Sequence, residues 1–523
     1  MSPSFVAERL ARYRSDERQS ASRSTHERST DDGQGASRRW KCPKLNLPQP
    51  AASALPLRKA LPARKCATRG TGCSLLIRWA MCFVLVALFQ NMAIACQELP
   101  PEDHDWSPLQ IDPEKAKANG LRVVRGKHIT LYTDLPASET VDPLTKIFDA
   151  AVPQWGKYFQ VPDRKITDWK VNVSLMRDRD RFEKAGIIPK WVPEFPAGLN
   201  RAREIWFFTQ QEQYYTQHLM LHEGTHAFMQ EFCDGYGAPW YAEGMAELLG
   251  LHQWDGENLK LPFRPTSKRD TAGWGRPFLI RKWIQGQRQG LPDRSLQTVI
   301  LTPDRAFRNV ENYAWGWAAC EFLSLHPKTR EKFPLLTKSA SKPSTEFNAK
   351  FLRLFGKSMD DLEKDWALFI GDLDYGLDPN VTSLSELKLT PEGTGRLAVD
   401  RSWQFLSRPV KKGDKISIQA SGRFIVGSSQ IGDRSKPWPC EASGISIEYF
   451  RGRKLGELQA MVLTDTPPKS LLSELCDLTP MPVGNNKVIT ISTDGTLCLR
   501  INESPSAMSD NTGFLKIAIE KVR

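Results

Sequence analysis

The chain has 523 residues, and 72 Lys and Arg against 60 Asp and Glu give it a formal net charge of +12. Residues 1–80 hold 16 basic and 6 acidic side chains, so they carry +10 of this charge, and the remainder is nearly neutral. This distribution argues against the basic face that a nucleic-acid-binding domain needs, and the length predicts two to four domains.

The amino-terminal part is predicted to contain no folded domain. Residues 1–72 are rich in Ser, Arg, Pro and Ala, a composition that buries too little apolar surface to fold, so we expect a disordered basic extension. Within residues 73–96, an uncharged apolar run from Trp79 to Cys96 is typical of a cleaved secretory signal, with the true start codon further downstream. The alternatives are a retained membrane anchor and a lipidated Cys96. Each predicts export to the periplasm, the cell surface or the medium.

Residues 110–380 are predicted to form one domain that begins with strands. Alternating apolar residues in HITLYTD at 128–134 and WKVNVSLMRD at 169–178 predict strands, and residues 142–159 have helical spacing. GLNRAREIWFFTQ at 198–210 predicts another strand. We expect its AREIWFF segment to be the sheet edge that pairs with an extended substrate, with a buried central strand as the alternative.

The segment HLMLHEGTHAFMQ at 218–230 carries the main chemical signal. In a helix, His222 and His226 lie one turn apart, so both imidazoles reach one metal ion while Glu223 projects beside them. Zinc needs a third protein ligand and an open position for water, and Glu243 in PWYAEGMAELLG at 239–250 fits that place. Glu247, one turn later, is placed to accept a hydrogen bond from a ligand histidine. The alternative is a fortuitous pair of core histidines.

This arrangement resembles the gluzincin metallopeptidases, in which HEXXH is followed after a spacer by a glutamate in an EG dipeptide. His222, Glu223, His226 and Glu243 match that pattern. The resemblance implies an α+β zincin-like fold, with a mixed sheet above the HEXXH helix and a helical lower lobe. It also implies peptide-bond hydrolysis, with zinc as the cofactor and Glu223 as the general base. A lower-lobe tyrosine that stabilises the oxyanion is expected in this family, and we assign it to Tyr313, with a core aromatic as the alternative.

Segments beyond Glu247 with helical spacing predict the lower lobe: RPFLIRKWIQGQ, LQTVIL, ENYAWGWAACEFLSLH, STEFNAKFLRLFG and MDDLEKDWALFIGDL. His218, one turn before His222, is predicted to be a packed residue or a partner of a ligand.

Cysteine spacing gives no sign of a cysteine zinc site, because no CXXC pair occurs in the chain. Export permits disulfides, so we expect a bridge among Cys440, Cys476 and Cys498, with buried thiols as the alternative.

Residues 385–523 lack helical periodicity and contain short alternating runs broken by Gly, Asp and Asn, which predict an antiparallel β-sandwich that forms a separate module. The runs GDKISIQASG, GDRSKP and TLCLRINESPSAMSDNTGFLKIAI resemble the PA-IL-like galactose-binding lectin domain. The resemblance implies a calcium ion held by Glu503, Asp510 and Asn511. Two departures are Ala507, where a threonine ligand is expected, and Lys436, which replaces a sugar-contacting histidine. The alternative is a sandwich that only packs on the preceding domain or contacts another partner.

The sequence thus predicts an exported zinc metallopeptidase that acts on peptide or protein substrates and carries a glycan-binding-like module. It predicts no nucleic-acid partner, and membrane contact only through the amino-terminal segment. The rival hypotheses are a catalytically inactive surface carbohydrate-binding protein and a zinc hydrolase that cleaves a non-peptide amide or ester.

Overall fold

The computed structural model describes residues 108–286, 294–307, 309–431, 433–464 and 479–522. The expectations for residues 1–72 and 73–96 fall outside this described part. All described residues belong to one compact unit, Ile94–Arg523, which has a mixed α/β part, a helical region and sandwich-like sheets at the carboxyl end. Among these residues, no helix is both long and apolar enough to cross a bilayer.

The first part of the unit is a five-stranded mixed sheet with helices. Its elements are α1 (Pro113–Ala118), β1 (Arg122–Arg125), β2 (Ile129–Thr133), α2 (Leu144–Phe159), α3 (Asp163–Ile166), β3 (Val171–Met176), α4 (Arg179–Ala185), β4 (Gly198–Arg201) and β5 (Glu204–Phe208). The strand order is β1-β2-β3-β5-β4, in which β2, β3 and β5 are parallel and the two outer strands are antiparallel to their neighbours. The strands and the helix predicted between residues 128 and 178 are confirmed.

The position predicted for AREIWFF is wrong. This segment forms β5, which lies between β3 and β4 and is not at the edge. Its residues Glu204–Phe207 are buried, as expected of a strand covered on both faces. The edge on this side of the sheet belongs instead to β4, because the chain reverses at Ala202, whose φ of 52° lies in the left-handed region.

Below the sheet lie α5 (Gln213–Phe232) and α6 (Pro239–Gly250). Helix α5 is buried on nearly every side, which is why its sequence shows little amphipathic contrast. Gly224 lets this helix approach α2 closely, because a Cβ there would lie 2.7 Å from Trp155 and 2.8 Å from Phe148.

The following region is mainly helical, as predicted. It contains the short strands β6 (Gln253–Trp254) and β7 (Leu259–Lys260), then α7 (Arg276–Gly286), α8 (Leu296–Ile300), α9 (Val310–Leu325), α10 (Ser344–Phe355), α11 (Met359–Asp372) and α12 (Pro379–Thr382), with 3-10 turns at Lys268–Thr271, Asp304–Ala306, Phe333–Ser339 and Gly356–Ser358. Helix α9 packs on α6 at a backbone-to-backbone contact, since a Cβ at Gly244 would lie 2.4 Å from the carbonyl oxygen of Gly316. This contact brings the lower helices up to the HEXXH segment.

The carboxyl-terminal part is all strand apart from the 3-10 turn Met508–Asp510. Its strands are β8 (Ser385–Glu386), β9 (Thr394–Ala398), β10 (Gln404–Val410), β11 (Lys415–Ser421), β12 (Phe424–Ile431), β13 (Arg434–Cys440), β14 (Ser443–Phe450), β15 (Arg453–Thr464), β16 (Met481–Pro482), β17 (Asn486–Thr490), β18 (Gly495–Ile501) and β19 (Phe514–Val522). One sheet has the order β14-β15-β18-β10-β8 with β16 beside β15, and a second has the order β17-β11-β19-β9. A shared apolar core includes Ile418, Leu458 and Leu497. All strand pairs in these sheets are antiparallel except the short pair β8–β10.

The sandwich is joined to the helical region by a buried ion pair. Arg500 on β18 is 1% exposed and lies 2.6 Å from Asp372 at the end of α11, while its guanidinium sits 4.3 Å from the ring centroid of Trp403. Arg451 contacts the other oxygen of Asp372 at 3.2 Å. A small apolar cluster at the same boundary packs Leu368 of the helical region against residues of the sandwich such as Trp403 and Met461.

The described cysteines Cys233, Cys320, Cys440 and Cys498 are free thiols. A bridge between Cys440 and Cys498 is therefore excluded, and Cys476 lies outside the described residues.

Candidate metal centre

Two helices bring the predicted ligands together. His222 and His226 face the same side of α5, and Glu243 reaches them from the first turns of α6. The two Nε2 atoms lie 3.2 Å apart, and Glu243 Oε2 lies 3.3 Å from His222 Nε2 and 3.4 Å from His226 Nε2. The three ligand atoms therefore form a nearly equilateral triangle.

The size of this triangle fits a divalent ion. Metal–ligand bonds of about 2.0–2.1 Å at tetrahedral angles separate the ligand atoms by about 3.3 Å. Glu243 Oε2 is buried, and its neighbours are the two Nε2 atoms themselves at 3.3 and 3.4 Å, so no other donor of the described residues competes with an ion for this oxygen. Two imidazole nitrogens and one carboxylate oxygen are a donor set that suits zinc and leaves a fourth position open.

The pKa values of the two carboxyl groups at the site, Glu223 and Glu243, are shifted in opposite directions. Burial raises the pKa of Glu223 to about 7, and the nearby Glu243 carboxylate adds to the shift. Burial would also raise the pKa of Glu243, but the imidazoles of His226 and His222 outweigh it and hold that pKa at about 2. When the pKa values of two neighbouring carboxyl groups are pushed apart in this way, the group with the raised pKa can carry a proton and the other stays ionised. Here Glu223 suits the first role, and Glu243 suits the role of a metal ligand.

Glu223 lies directly below the free edge of the sheet. A Cβ added to Gly198, the first residue of β4, would lie 2.5 Å from Glu223 Oε1. Glu223 is 7% exposed, so the carboxyl group is shielded from bulk solvent between the helix and the edge strand.

Glu247 is buried near His222, but the predicted hydrogen bond from this ligand histidine does not form. Its Oε1 lies 3.8 Å from His222 Nδ1, which is longer than a hydrogen bond. Its strong partners lie elsewhere, because Arg276 donates to both carboxylate oxygens at 2.7 and 3.0 Å and Trp274 Nε1 donates to Oε2 at 2.7 Å. Although burial opposes it, the Arg276 guanidinium holds the pKa of Glu247 well below its usual range.

His218, His222 and Glu247 form a second group of potential ligands. Arg276 and Trp274 already occupy the oxygens of Glu247, so this group is less suited to a cation than the first. His218 is fully buried, with its ring packed parallel to Tyr215 and its Nε2 3.4 Å from Glu247.

Two tyrosines flank the histidine pair. Tyr313 on α9 has its ring centroid 6.2 Å from that of His222, and burial raises its pKa, as do the carboxylates of Glu243 and Glu223. Tyr236 contacts His226 edge to face at 5.6 Å, and its hydroxyl lies 2.5 Å from Gln230 Oε1. Sequence analysis singled out only Tyr313.

The structure also brings together two of the three predicted calcium ligands. Asn511 Nδ2 donates to Glu503 and to the carbonyl oxygen of Val399 at 2.9 Å, while its Oδ1 is buried without a hydrogen-bond partner in the described residues. Burial raises the pKa of Glu503 to about 7. Asp510 lies next to Asn511 in the 3-10 turn and is exposed.

Sequence reasoning missed Tyr236, Gly198 and Arg276 at the metal site. Tyr236 lies in DGYGAP at 234–239, directly before the segment that carries Glu243, so its aromatic ring was an available signal. Gly198 and Arg276 had no local signal, because their roles depend on contacts with residues 25 and 29 positions away, respectively.

Comparison with protein-family models finds no match, and no curated protein matches either. Among solved structures, the chain is similar to one described as "EclA N-terminal domain; PllA-like lectin", with 21% sequence identity and a TM-score of 0.19. The match covers 25% of this chain and 95% of that one. Neither the family models nor the curated proteins support a metallopeptidase.

Proposed function

We propose that the protein is a zinc-dependent hydrolase of the gluzincin type that cleaves peptide bonds. The triangle formed by His222 Nε2, His226 Nε2 and Glu243 Oε2 carries this proposal, because its edges of 3.2–3.4 Å equal the separation that tetrahedral zinc requires. A zincin-like arrangement is supported by the mixed sheet above α5 and by the helices packed below it.

Zinc in this position would polarise a substrate carbonyl and lower the pKa of water toward neutrality. Glu223 would accept the proton of the attacking water and later donate it to the leaving amine nitrogen. Its raised pKa of about 7 suits both transfers near neutral pH. The Tyr313 phenol, which burial keeps protonated, would donate a hydrogen bond to the negative charge that develops on the carbonyl oxygen.

The edge strand supports a peptide as the substrate class. Among the described strands β4 pairs only with β5, and it lies next to Glu223, so its other side is placed to pair with a substrate beside this carboxyl group. An extended peptide can add to such an edge through main-chain hydrogen bonds. A non-peptide ester or amide would not need this edge.

The test combines metal content with activity. We expect about one zinc per chain by elemental analysis, a sharp drop in His222→Ala, and metal-dependent cleavage of a mixed peptide library. Glu223→Gln should retain zinc and lose at least about a hundredfold in rate, because it removes the proton acceptor. Glu231→Gln is the matched control, since Glu231 lies on the same helix and pairs with Arg203 at the surface. Zinc-free folded protein, or equal rates in the two variants, would refute the proposal.

A second candidate function is carbohydrate binding by a protein without catalysis. It is favoured by the buried, unpartnered Oδ1 of Asn511 beside the Glu503 carboxylate, oxygen donors that suit calcium. Elemental analysis for calcium and calcium-dependent binding of galactose test it, with Asn511→Ala as the variant. Calcium-dependent sugar binding together with no difference in peptide cleavage between the wild type and Glu223→Gln would establish this candidate over the first.

We also propose that the protein is exported, on the strength of the apolar run from Trp79 to Cys96. Amino-terminal sequencing of the mature protein should give a start near Cys96. A mature chain that retains residues 1–72 and is recovered in the cytoplasmic fraction would contradict this.

A further inference from the structure

A broad groove of about 1500 Å³ lies on the sandwich and shares no lining residue with the candidate metal centre. Its floor is the outer face of the sheet β17-β11-β19-β9. Side chains alternate along β11, so Ile416 and Ile418 point into the core while Ser417, Gln419 and Ser421 line the groove. The segment from Ser385 to Thr390 borders the same space.

The groove is strongly basic. Its charged lining consists of one acidic residue, Glu386, and five basic residues, Lys388, Arg396, Arg401, Lys487 and Lys516. The local charge of +4 contrasts with the nearly neutral chain beyond residue 80. A concave surface lined by charges of one sign concentrates the electric field and attracts ions of the opposite charge.

These positive charges are poorly compensated. Within the described part of the chain, no carboxylate lies within 4.0 Å of Lys388 or Lys516. The guanidinium of Arg396 sits 4.2 Å over the ring of Phe514, and that of Arg401 reaches Asp400 only at 4.0 Å. The groove therefore has cationic groups left for a ligand.

We propose that this groove binds an anionic polysaccharide, a site separate from both the zinc hydrolase function and the Glu503–Asn511 pair. The volume exceeds the roughly 300–1,000 Å³ of small-molecule sites, so it suits a chain of sugars. Hydroxyl and amide groups such as those of Ser417, Gln419 and Asn486 match sugar hydroxyls, and the basic groups match carboxylates or sulfates. No aromatic ring occurs among the described lining residues, whereas single-stranded nucleic acid is usually held by stacking on such rings.

The test measures binding of the full chain to four probes: dextran sulfate, polygalacturonate, neutral dextran and single-stranded poly-dT. All measurements include EDTA, so that calcium cannot contribute. The groove variant Lys388→Gln/Arg396→Gln/Lys516→Gln is compared with Lys117→Gln/Lys146→Gln/Lys332→Gln, which removes the same charge from exposed positions elsewhere. Both variants keep the basic residues 1–80, so any binding by that segment is common to them.

We expect the groove variant to bind dextran sulfate or polygalacturonate at least about tenfold more weakly than the control variant at 100 mM salt, with a smaller dependence on salt. The preferred probe identifies sulfate or carboxylate as the recognised group. Equal affinities in the two variants, equal binding of neutral dextran, or tighter binding of poly-dT would each overturn the proposal. If the triple variant fails to fold, Lys516→Glu compared with Lys332→Glu carries the same test.

Discussion

Gly198 on the edge strand touches Glu223 on the HEXXH helix so closely that any side chain at this position would displace the carboxyl group. A Cβ on Gly198 would lie 2.5 Å from Oε1, 3.1 Å from Cδ and 3.1 Å from Cγ of Glu223. Contacts below about 3.0 Å force one partner to move, and here the displaced partner is the proposed proton acceptor. The sheet edge and the general base are therefore positioned by one contact.

This contact predicts that Gly198→Ala lowers kcat/KM for peptide cleavage by about tenfold to a hundredfold, because a small displacement of a catalytic group is costly. Zinc content should be unchanged, since the three atoms nearest to that Cβ all belong to Glu223, which is not a proposed zinc ligand. Activity assays and elemental analysis on the same preparation check both statements. Gly356→Ala is the control, as a Cβ there meets nothing within 4 Å. Loss of zinc in Gly198→Ala, or unchanged activity, would contradict this explanation.

The two glutamates of α6 should respond differently to the same substitution. Glu243→Gln should abolish tight zinc binding yet destabilise the zinc-free protein less than Glu247→Gln does, because the neighbours of Glu243 at 3.3 and 3.4 Å are two imidazoles, whereas Glu247 balances the buried Arg276 guanidinium. Glu247→Gln should lower the stability of the zinc-free protein by about 3 kcal/mol, because Arg276 is left buried without its counterion.

Urea unfolding at pH 8 in the presence of a chelator measures both changes, and elemental analysis of untreated protein measures zinc. A Glu243 variant that is the more destabilised of the two would show that Glu243 has a structural role and is not held ready for a metal.

Helical periodicity explains why the sequence could predict that the candidate metal ligands lie close together. Residues four positions apart on a helix share a face whatever the helix packs against, so His222 and His226 needed only the helix to form. Glu243 required one further assumption, a short connection to a second helix, which the small gap between the segments 218–230 and 239–250 allows.

Sheet order could not be predicted in the same way. The apolar residues at 204–208 indicate a strand, and the structure buries nearly all of them, as expected of a central strand. The neighbouring strand Gly198–Arg201 is short and polar, so its sequence gives little sign that it forms the edge of the sheet. The contact between Arg276 and Glu247 could not be predicted either, because it depends on where α7 lies relative to α6. The ion pair between Asp372 and Arg500 spans 128 residues and two regions that were predicted separately.

This ion pair predicts that the sandwich contributes to the stability of the whole unit. Asp372→Asn should lower the free energy of unfolding by about 3–5 kcal/mol, because it leaves Arg500 buried without a counterion. Glu441→Gln is the matched control: its pair with Arg423 is exposed, so the loss should be below about 1 kcal/mol. Equal losses in the two variants, measured by urea unfolding, would show that the interface does not depend on this pair.

A final prediction concerns pH. Burial raises the pKa of Glu204 to about 7, against the opposing hydrogen bonds from Leu109 N and Asn172 Nδ2. The folded protein therefore keeps a proton on this carboxyl group over a pH range in which the unfolded chain, with a pKa near 4.5, has lost it. Stability linked to Glu204 is complete below pH 4.5 and falls as pH rises toward 7, by about 3 kcal/mol in total.

Glu204→Gln should remove this dependence, because a neutral amide keeps an oxygen acceptor for Leu109 and Asn172 and never ionises. The variant and the wild type should have similar free energies of unfolding at pH 4, whereas the variant should be more stable by about 3 kcal/mol at pH 8. Urea unfolding at both pH values, with a chelator present, measures the difference, and the exposed Glu346→Gln serves as the control. A difference between variant and wild type that stays constant from pH 4 to pH 8 would show that Glu204 does not change its protonation on unfolding.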